Sequence, residues 1–106
     1  MDKLLCLPNP PTAVFCYNDM TALGVLRSIQ THGLRVPADI SLIGFDDLFF
    51  ASYTQPQLTT VRQPMRQMGR MAMENLLKLM SGQPSAESIK VPAELIVRES
   101  TAPPRV

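Results

Sequence analysis

The order of strand, helix and strand between residues 13 and 45 constrains the fold of this chain more than any other feature. Residues 13–17 form a short apolar run with β-branched and aromatic side chains, which is typical of a buried strand. Apolar residues recur at helical spacing over 20–32, and Gly33 stands where a helix commonly ends. A second apolar run, 40–45, predicts the next strand. Because a helical crossover joins parallel strands, we expect a βαβ unit with the helix on one face of a parallel sheet.

The second half of the chain predicts one more strand, a long helix and a returning strand. Residues 58–62 are rich in β-branched side chains, and Pro64 is well placed to open a helix over 65–80. Residues 89–98 alternate loosely and predict the last strand. We expect the apolar stripe of the long helix to pack as core, unless it awaits a neighbour from outside this chain. The stripe consists of Met65, Met68, Ala72, Leu76 and Leu79.

The composition is that of an ordinary globular domain. The 106 residues are 45% hydrophobic and 18% charged, with a formal net charge of +1, so one domain is expected. No basic block indicates a nucleic-acid surface, and no apolar run is long enough for a membrane span or a signal peptide. Cys6 and Cys16 have neither metal nor redox spacing. We expect two reduced thiols, which favours a cytoplasmic location.

Two polar pairs follow the first two predicted strands. Asn18-Asp19 follows one and Asp46-Asp47 the other, at the carboxyl edge where open α/β sheets bind ligands. Either pair could instead cap the helix or turn after it. Adjacent strand residues point to opposite faces, so one aspartate of the second pair can accept hydrogen bonds from a ligand while the other caps or pairs nearby. Gln63, at a strand-to-helix junction, is either a ligand contact or a surface amide.

The sequence offers little chemistry for catalysis. His32 is the single histidine, and no serine or cysteine nucleophile is placed with it. Metal-ligand spacing and a phosphate-binding glycine loop are also absent. A phospho-acceptor site on Asp46-Asp47 would need a further acidic residue and a lysine at other strand ends, and Lys90 is the one candidate. We therefore expect neither an enzyme nor a cofactor.

Four blocks of this sequence resemble, in the same order, the sensor domain of the LacI/GalR family of transcriptional regulators. They cover nearly the whole chain: residues 11–24, 33–47, 56–64 and 95–104. Each block alone is short, and four in register make the resemblance specific. It implies the C-terminal part of an effector-binding domain with a two-lobed, parallel-sheet α/β fold of the type I periplasmic-binding-protein-like class. In that family the effector sits in the cleft between the lobes.

The resemblance also implies how the chain is divided. Residues 12–62 would be the βαβ core of one lobe, 63–88 a helix of the other lobe, and 89–100 a returning strand. A complete family member also has a DNA-binding headpiece, a hinge and most of both lobes, so we expect an incomplete sensor domain. The apolar face of the 65–80 helix would then be exposed unless the chain rearranges or dimerises.

The candidate ligand-binding residues follow from the resemblance position by position. Asn18 and Asp46 match cleft residues that hydrogen-bond the effector. Gln63 matches a polar position where the chain crosses between lobes. Met65 matches a position that often holds a ring lying against the sugar, and here a thioether replaces that ring.

The resemblance implies a sensor that binds a small sugar or purine and modulates DNA binding through a headpiece missing from this chain. Leu23 and Leu26 lie on a helix that resembles part of the family's dimer interface, so a homodimer is expected and no membrane contact. Two alternatives stay open. One is an exported sugar-binding protein of the same fold, and the other is an inactive truncated remnant.

Overall fold

The βαβ unit is present in the computed structural model, which describes residues 1–105. After the short helix α1 (Asp2–Leu5), it comprises strand β1 (Ala13–Phe15), helix α2 (Asp19–Thr31) and strand β2 (Ser41–Ile43). The two strands are parallel, with Val14 opposite Leu42 at the centre of the ladder. Gly33 follows the helix with a φ of +74°, a left-handed conformation that glycine adopts without steric cost.

The third predicted strand extends the parallel pairing. A 3₁₀ turn (Phe49–Ser52) leads to strand β3 (Thr60–Arg62), which is joined to the β2 side by parallel bridges from Ile43 to Thr59 and from Asp46 to Arg62. The N–H groups of Gly44 and Asp46 each donate to a β3-side carbonyl at 2.9 Å. The regular strands are shorter than predicted, and beyond β2 the pairing continues through isolated bridges to a segment in which Asp46 and Asp47 have positive φ angles.

The returning strand is also short. Strand β4 (Glu94–Ile96) pairs with β3, whereas the sequence predicted a strand over 89–98. Pro92 lacks a backbone donor, which is consistent with a later start of the strand. Beyond it, the fully buried Ser100 lies between β2 and the start of β3. Its Oγ donates to the Leu42 carbonyl at 2.6 Å and accepts from the Thr59 N–H at 2.8 Å, so one hydroxyl joins the two strands where they diverge.

The hydrophobic core lies between α2 and the sheet. It is formed by Cys16, Ala22, Leu26, Leu42, Ala51 and Leu58. Both cysteines are free thiols, with Cys6 exposed and Cys16 buried. Burial raises the pKa of the Cys16 thiol, which keeps it protonated and makes it a poor nucleophile.

The chain divides into two units, Met1–Arg62 with the chain from Leu95 onward, and Gln63–Glu94. The second unit contains helix α3 (Met65–Met80), and Asn75 pins the following segment to it through two hydrogen bonds with the Ala86 backbone. No residue of α3 is buried, so the expectation that its apolar stripe packs as core is wrong for this chain. The segment that follows α3 is too short to cover the apolar face of this helix. Its large exposed side chains are Met65, Met73, Leu76, Leu77, Leu79 and Met80.

None of the helices in residues 1–105 combines the length and the apolar character that a membrane span requires.

Candidate functional site

The structure brings Asn18 and Asp46 to the same edge of the first unit. Asn18 follows β1 and Asp46 follows β2, at the carboxyl ends of two parallel neighbours. The N–H of Asp19 donates to the carbonyl of Phe45 at 2.9 Å, so the residue after Asn18 is bonded to the residue before Asp46. Both candidate side chains are partly exposed. This edge, formed by the segments 15–19 and 44–47, is called the carboxyl edge below.

Asn18 combines the two roles that the sequence left as alternatives. Its Oδ1 accepts from the Thr21 N–H at 2.8 Å and caps α2. The cap engages the oxygen only, and no acceptor for the Nδ2 amide occurs among residues 1–105. The same side chain can therefore hold the helix and present two N–H donors to a ligand.

Asp19, which the sequence offered as a cap or a ligand contact, is instead a buried structural residue. It is fully buried, and its carboxylate accepts from the Thr60 hydroxyl at 2.5 Å and from the Leu48 N–H at 2.7 Å. A Cβ on Gly44 would lie 2.2 Å from Asp19 Oδ1, so only glycine fits beside this carboxylate. An isolated glycine within a strand-like run signals such a close approach, and Gly44 carried that signal.

Asp46 and Asp47 differ from the regular strand end that the sequence predicted. Their φ angles are +101° and +53°, so two consecutive non-glycine residues are in the left-handed half of backbone space. The Asp47 carboxylate is mostly buried, at 8% exposure, and accepts from Arg62 Nε and Arg98 Nη2, each at 2.7 Å. The sequence expected one aspartate to pair nearby and the other to face the edge. Asp47 pairs with these two arginines.

The ionisation of Asp47 follows from these neighbours. Burial opposes its charge, but the hydrogen bonds and positive charges of Arg98 and Arg62 outweigh that effect and hold its pKa below the usual aspartate value. Asp47 is thus an anion near neutral pH whose charge is already matched. It is poorly suited to accept further hydrogen bonds from a ligand.

Two aromatic rings at the carboxyl edge were not predicted as functional residues. Phe15 is the last residue of β1 and is 64% exposed. Its ring packs edge-on against that of Phe45, with centroids 6.3 Å apart and an interplanar angle of 87°. The sequence placed both residues inside buried strands, because an apolar run does not show where the covering helix stops. They supply an apolar surface beside the polar groups of Asn18 and Asp46.

The other two candidate binding residues belong to the second unit. Gln63 is partly buried, and its carbonyl accepts from the Met65 N–H at 2.8 Å. Met65 is 61% exposed and lines an open depression of about 410 Å³ together with Pro64, Arg66, Gln67 and Arg70. Their roles as ligand contacts remain predictions.

The two candidate dimer residues differ in exposure. Leu23 is 41% exposed on α2, whereas Leu26 is 6% exposed and packs in the core of its own unit. Leu26 therefore offers almost no surface to a partner, and its role in a dimer could only be to support the helix from inside. The dimer prediction rests on Leu23.

Within residues 1–105, no three histidine, cysteine, aspartate or glutamate side chains gather in a way that could hold a metal ion. The chemistry of the carboxyl edge is accordingly that of hydrogen bonding and apolar contact: amide donors, a carboxylate acceptor and two rings. Such an edge can bind a small polar molecule that has an apolar face.

The family model of the periplasmic binding protein-like domain matches residues 2–101. The chain belongs to this family. The periplasmic binding protein-like domain found here is similar to that of transcriptional repressors: it is 48% identical over 101 residues to the probable repressor ExuR of Bacillus subtilis (strain 168). The match covers 94% of this chain and 30% of ExuR, so the chain spans about a third of the relative's length.

Solved structures agree with this assignment. The lac repressor dimer bound to operator and the anti-inducer ONPF matches with a TM-score of 0.81 and 42% identity, over 86% of this chain and 32% of that one. A LacI family regulator from Enterococcus faecalis V583 with bound ribose matches with a TM-score of 0.85 and 33% identity, over 98% of this chain and 39% of that one.

These comparisons confirm three predictions made from the sequence. The chain is part of a LacI-type effector domain, and its fold is that of periplasmic binding proteins. Its relatives are transcriptional repressors and not enzymes, so the expectation of a non-enzymatic domain is confirmed as well.

Proposed function

We propose that this chain is the effector-sensing part of a transcriptional regulator and that it binds a small sugar or purine at the carboxyl edge. The observation that supports this most strongly is the convergence of Asn18 and Asp46, whose backbone neighbours share a 2.9 Å hydrogen bond. In open α/β sheets this edge is where ligands bind.

The chemistry of the edge favours a ring with hydroxyl or N–H groups. Asn18 Nδ2 offers donors, and the Asp46 carboxylate offers acceptors that engage hydroxyls or ring N–H groups. The exposed Phe15 ring and its neighbour Phe45 offer an apolar face to a pyranose, furanose or base. A relative with bound ribose supports the sugar class first.

Two further contacts complete the proposal. Gln63 would add a polar contact to the ligand, and Met65 would supply a thioether at a position where members of this family often have a ring. In the full-length regulator, ligand binding would favour one arrangement of the domain and so change DNA affinity through a headpiece. Such a regulator works in the cytoplasm as a homodimer, with Leu23 on the contact surface. The carboxyl edge, Leu23 and Met65 can each be tested separately.

The decisive experiment measures binding of D-ribose and of adenosine by calorimetry, together with thermal unfolding followed by circular dichroism. We expect one of the two ligands to bind and to raise the melting temperature, because a ligand that binds only the folded state stabilises it. The variant Asn18→Asp is nearly isosteric and caps a helix equally well, but it replaces the donors by an acceptor. It should weaken binding by about tenfold or more, since one hydrogen bond to a buried ligand group contributes about 1.5 kcal/mol.

The matched control is Asn9→Asp, which makes the same chemical change in an exposed loop. It should leave the dissociation constant unchanged. If neither ligand binds, and a wider panel of pentoses, hexoses and purines leaves the melt unchanged, the sensor proposal for this chain is wrong. The inactive remnant is then the better description. The repressor relatives argue against the exported sugar-binding protein.

A further inference from the structure

We propose that Asp47, held by Arg62 and Arg98, is a positioning residue that fixes the left-handed backbone conformation of Asp46 at the carboxyl edge. This inference deepens the proposed function, since it concerns the same site, but it makes a structural claim that can be tested without a ligand. None of the three residues need touch the effector.

The need for such a device comes from the backbone at this point. Asp46 and Asp47 have φ angles of +101° and +53°. Residues with a Cβ avoid this half of backbone space, so a residue held there is strained. Two such residues in succession persist only where the surroundings determine their conformation by several independent contacts.

Several contacts that hold the pair come from β3 and from the chain after β4. The Asp46 N–H donates to the Val61 carbonyl at 2.9 Å, and the Asp47 N–H donates to the Thr60 hydroxyl at 3.3 Å. The Asp47 carboxylate then takes one guanidinium on each oxygen: Arg62 Nε on Oδ2 and Arg98 Nη2 on Oδ1.

Arg98 is itself held by other contacts, so the position of the Asp47 carboxylate does not depend on a mobile side chain. Its Nη1 donates to the Leu58 carbonyl at 2.8 Å, and its backbone N–H donates to the Thr59 hydroxyl at 3.0 Å. The side chain is 14% exposed. A charged group with this many partners defines where the Asp47 carboxylate must lie.

The link from Asp47 to Asp46 is the peptide that they share. If the carboxylate of Asp47 left its two arginines, the backbone of both residues could relax toward negative φ. A change of φ at Asp46 is a rotation about its N–Cα bond, and this rotation redirects its Cα–Cβ bond. Holding Asp47 therefore sets the direction of Asp46.

The structure also provides a matched control. Asp39 likewise accepts from two arginines, Arg35 Nε at 3.0 Å and Arg105 Nη1 at 3.2 Å. Asp39 is not among the residues with a positive φ and is not part of the carboxyl edge. Asp39→Asn removes the same charge from a similar cluster as Asp47→Asn does.

The first test is amide hydrogen exchange by NMR on the full chain without ligand. The exchange rate of the Leu42 N–H reports opening of the central strand. In Asp47→Asn, we expect the ratio of the Asp46 N–H exchange rate to the Leu42 N–H exchange rate to rise about tenfold. Asp39→Asn should leave the ratio of the two rates as in the wild type. An unchanged ratio in Asp47→Asn would overturn the proposal. If that variant does not fold, the same measurement is made on Arg62→Lys, which alters a half-exposed side chain and keeps its charge.

The second test is a double-mutant cycle on D-ribose binding. If Asp47 acts through Asp46, Asp47→Asn weakens D-ribose binding about tenfold when it is the only substitution. In a protein that already carries Asp46→Ala, Asp47→Asn has no further effect on binding. Independent, additive effects would contradict a positioning role. Should D-ribose and adenosine both fail to bind the wild type, the proposed function fails. The exchange experiment then decides the positioning claim alone.

Discussion

Two aspartates of the first unit are each bound by two arginines, but in different surroundings. At the carboxyl edge, Asp47 is paired with Arg98, which is 14% exposed, and with Arg62, which is 52% exposed. On the outer surface, Asp39 is paired with Arg35 and Arg105, which are 74% and 62% exposed. The carboxylates themselves differ little in exposure, at 8% and 11%.

The difference lies in what covers each carboxylate. The carboxylate of Asp39 accepts from two exposed guanidinium groups and from the Arg35 N–H at 2.8 Å, and the guanidinium groups can leave at little cost because water replaces them. The carboxylate of Asp47 accepts from Arg98, which is itself held at three points, so this partner cannot be replaced by water without local opening. The same residue types thus make a weak surface tie in one place and a rigid support for the candidate binding edge in the other.

The largest effect is expected from a substitution that strikes the packing of the carboxyl edge directly. Gly44→Ala would place a methyl group 2.2 Å from Asp19 Oδ1 and 3.0 Å from a Leu58 methyl group. Because Asp19 is buried and held by two hydrogen bonds, we expect a loss of about 3 kcal/mol or more in the free energy of unfolding. Urea denaturation followed by circular dichroism measures it.

The control for this variant lies on the outer surface of the same unit. Gly24 is in α2, and a methyl group added there would meet no other atom within 4 Å. Gly24→Ala should therefore stabilise the protein by about 0.5–1 kcal/mol, since alanine is the better helix former. Equal effects of the two substitutions would show that the edge is not tightly packed.

A smaller effect separates the two arginine clusters. Arg98→Ala removes the Arg98 hydrogen bonds to the Asp47 carboxylate and to the Leu58 carbonyl. We therefore expect a loss of about 2–3 kcal/mol in the free energy of unfolding. Arg35→Ala, on the surface, should produce no measurable change. Denaturation midpoints of the two variants, compared at the same ionic strength, decide whether burial ranks the clusters as argued.

The arrangement of the carboxyl edge could be predicted in outline from the sequence. The βαβ order put the residues after β1 and β2 at one edge, and Asn18 and Asp46 are found there. The left-handed pair could not be predicted, because Asp46-Asp47 after an apolar run is equally compatible with a strand end. Its conformation depends on Arg62 and Arg98, which are distant in the sequence.

Burial was harder to predict than position. The alternation of apolar residues made the α3 stripe look like core, but whether a face is covered depends on what else is present to cover it. Conversely, Asp19 looked like a cap or a ligand contact and is instead the most enclosed charged group of its unit. The glycine at position 44 was the one local sign that something approached closely there.

The smallest effect concerns the free energy of unfolding at acidic pH. The pKa of Asp47 is lowered in the folded protein, while in the unfolded chain it returns to about 3.9. A lowered folded pKa gives stability that is fully present above the unfolded value and is lost as pH falls through the folded value. The stability difference between wild type and Asp47→Asn should therefore be constant above about pH 5 and shrink progressively below about pH 4.

The control for this prediction is Asp39. The pKa of Asp39 is also lowered, chiefly by its hydrogen bonds with Arg35, but its exposed partners are screened. Asp39→Asn should thus give a smaller difference that disappears in about 1 M salt, where the screening length is about 3 Å. Urea titrations between pH 3 and pH 7 at low and high salt measure both differences, and a salt-sensitive Asp47 would mean that the two clusters are alike after all.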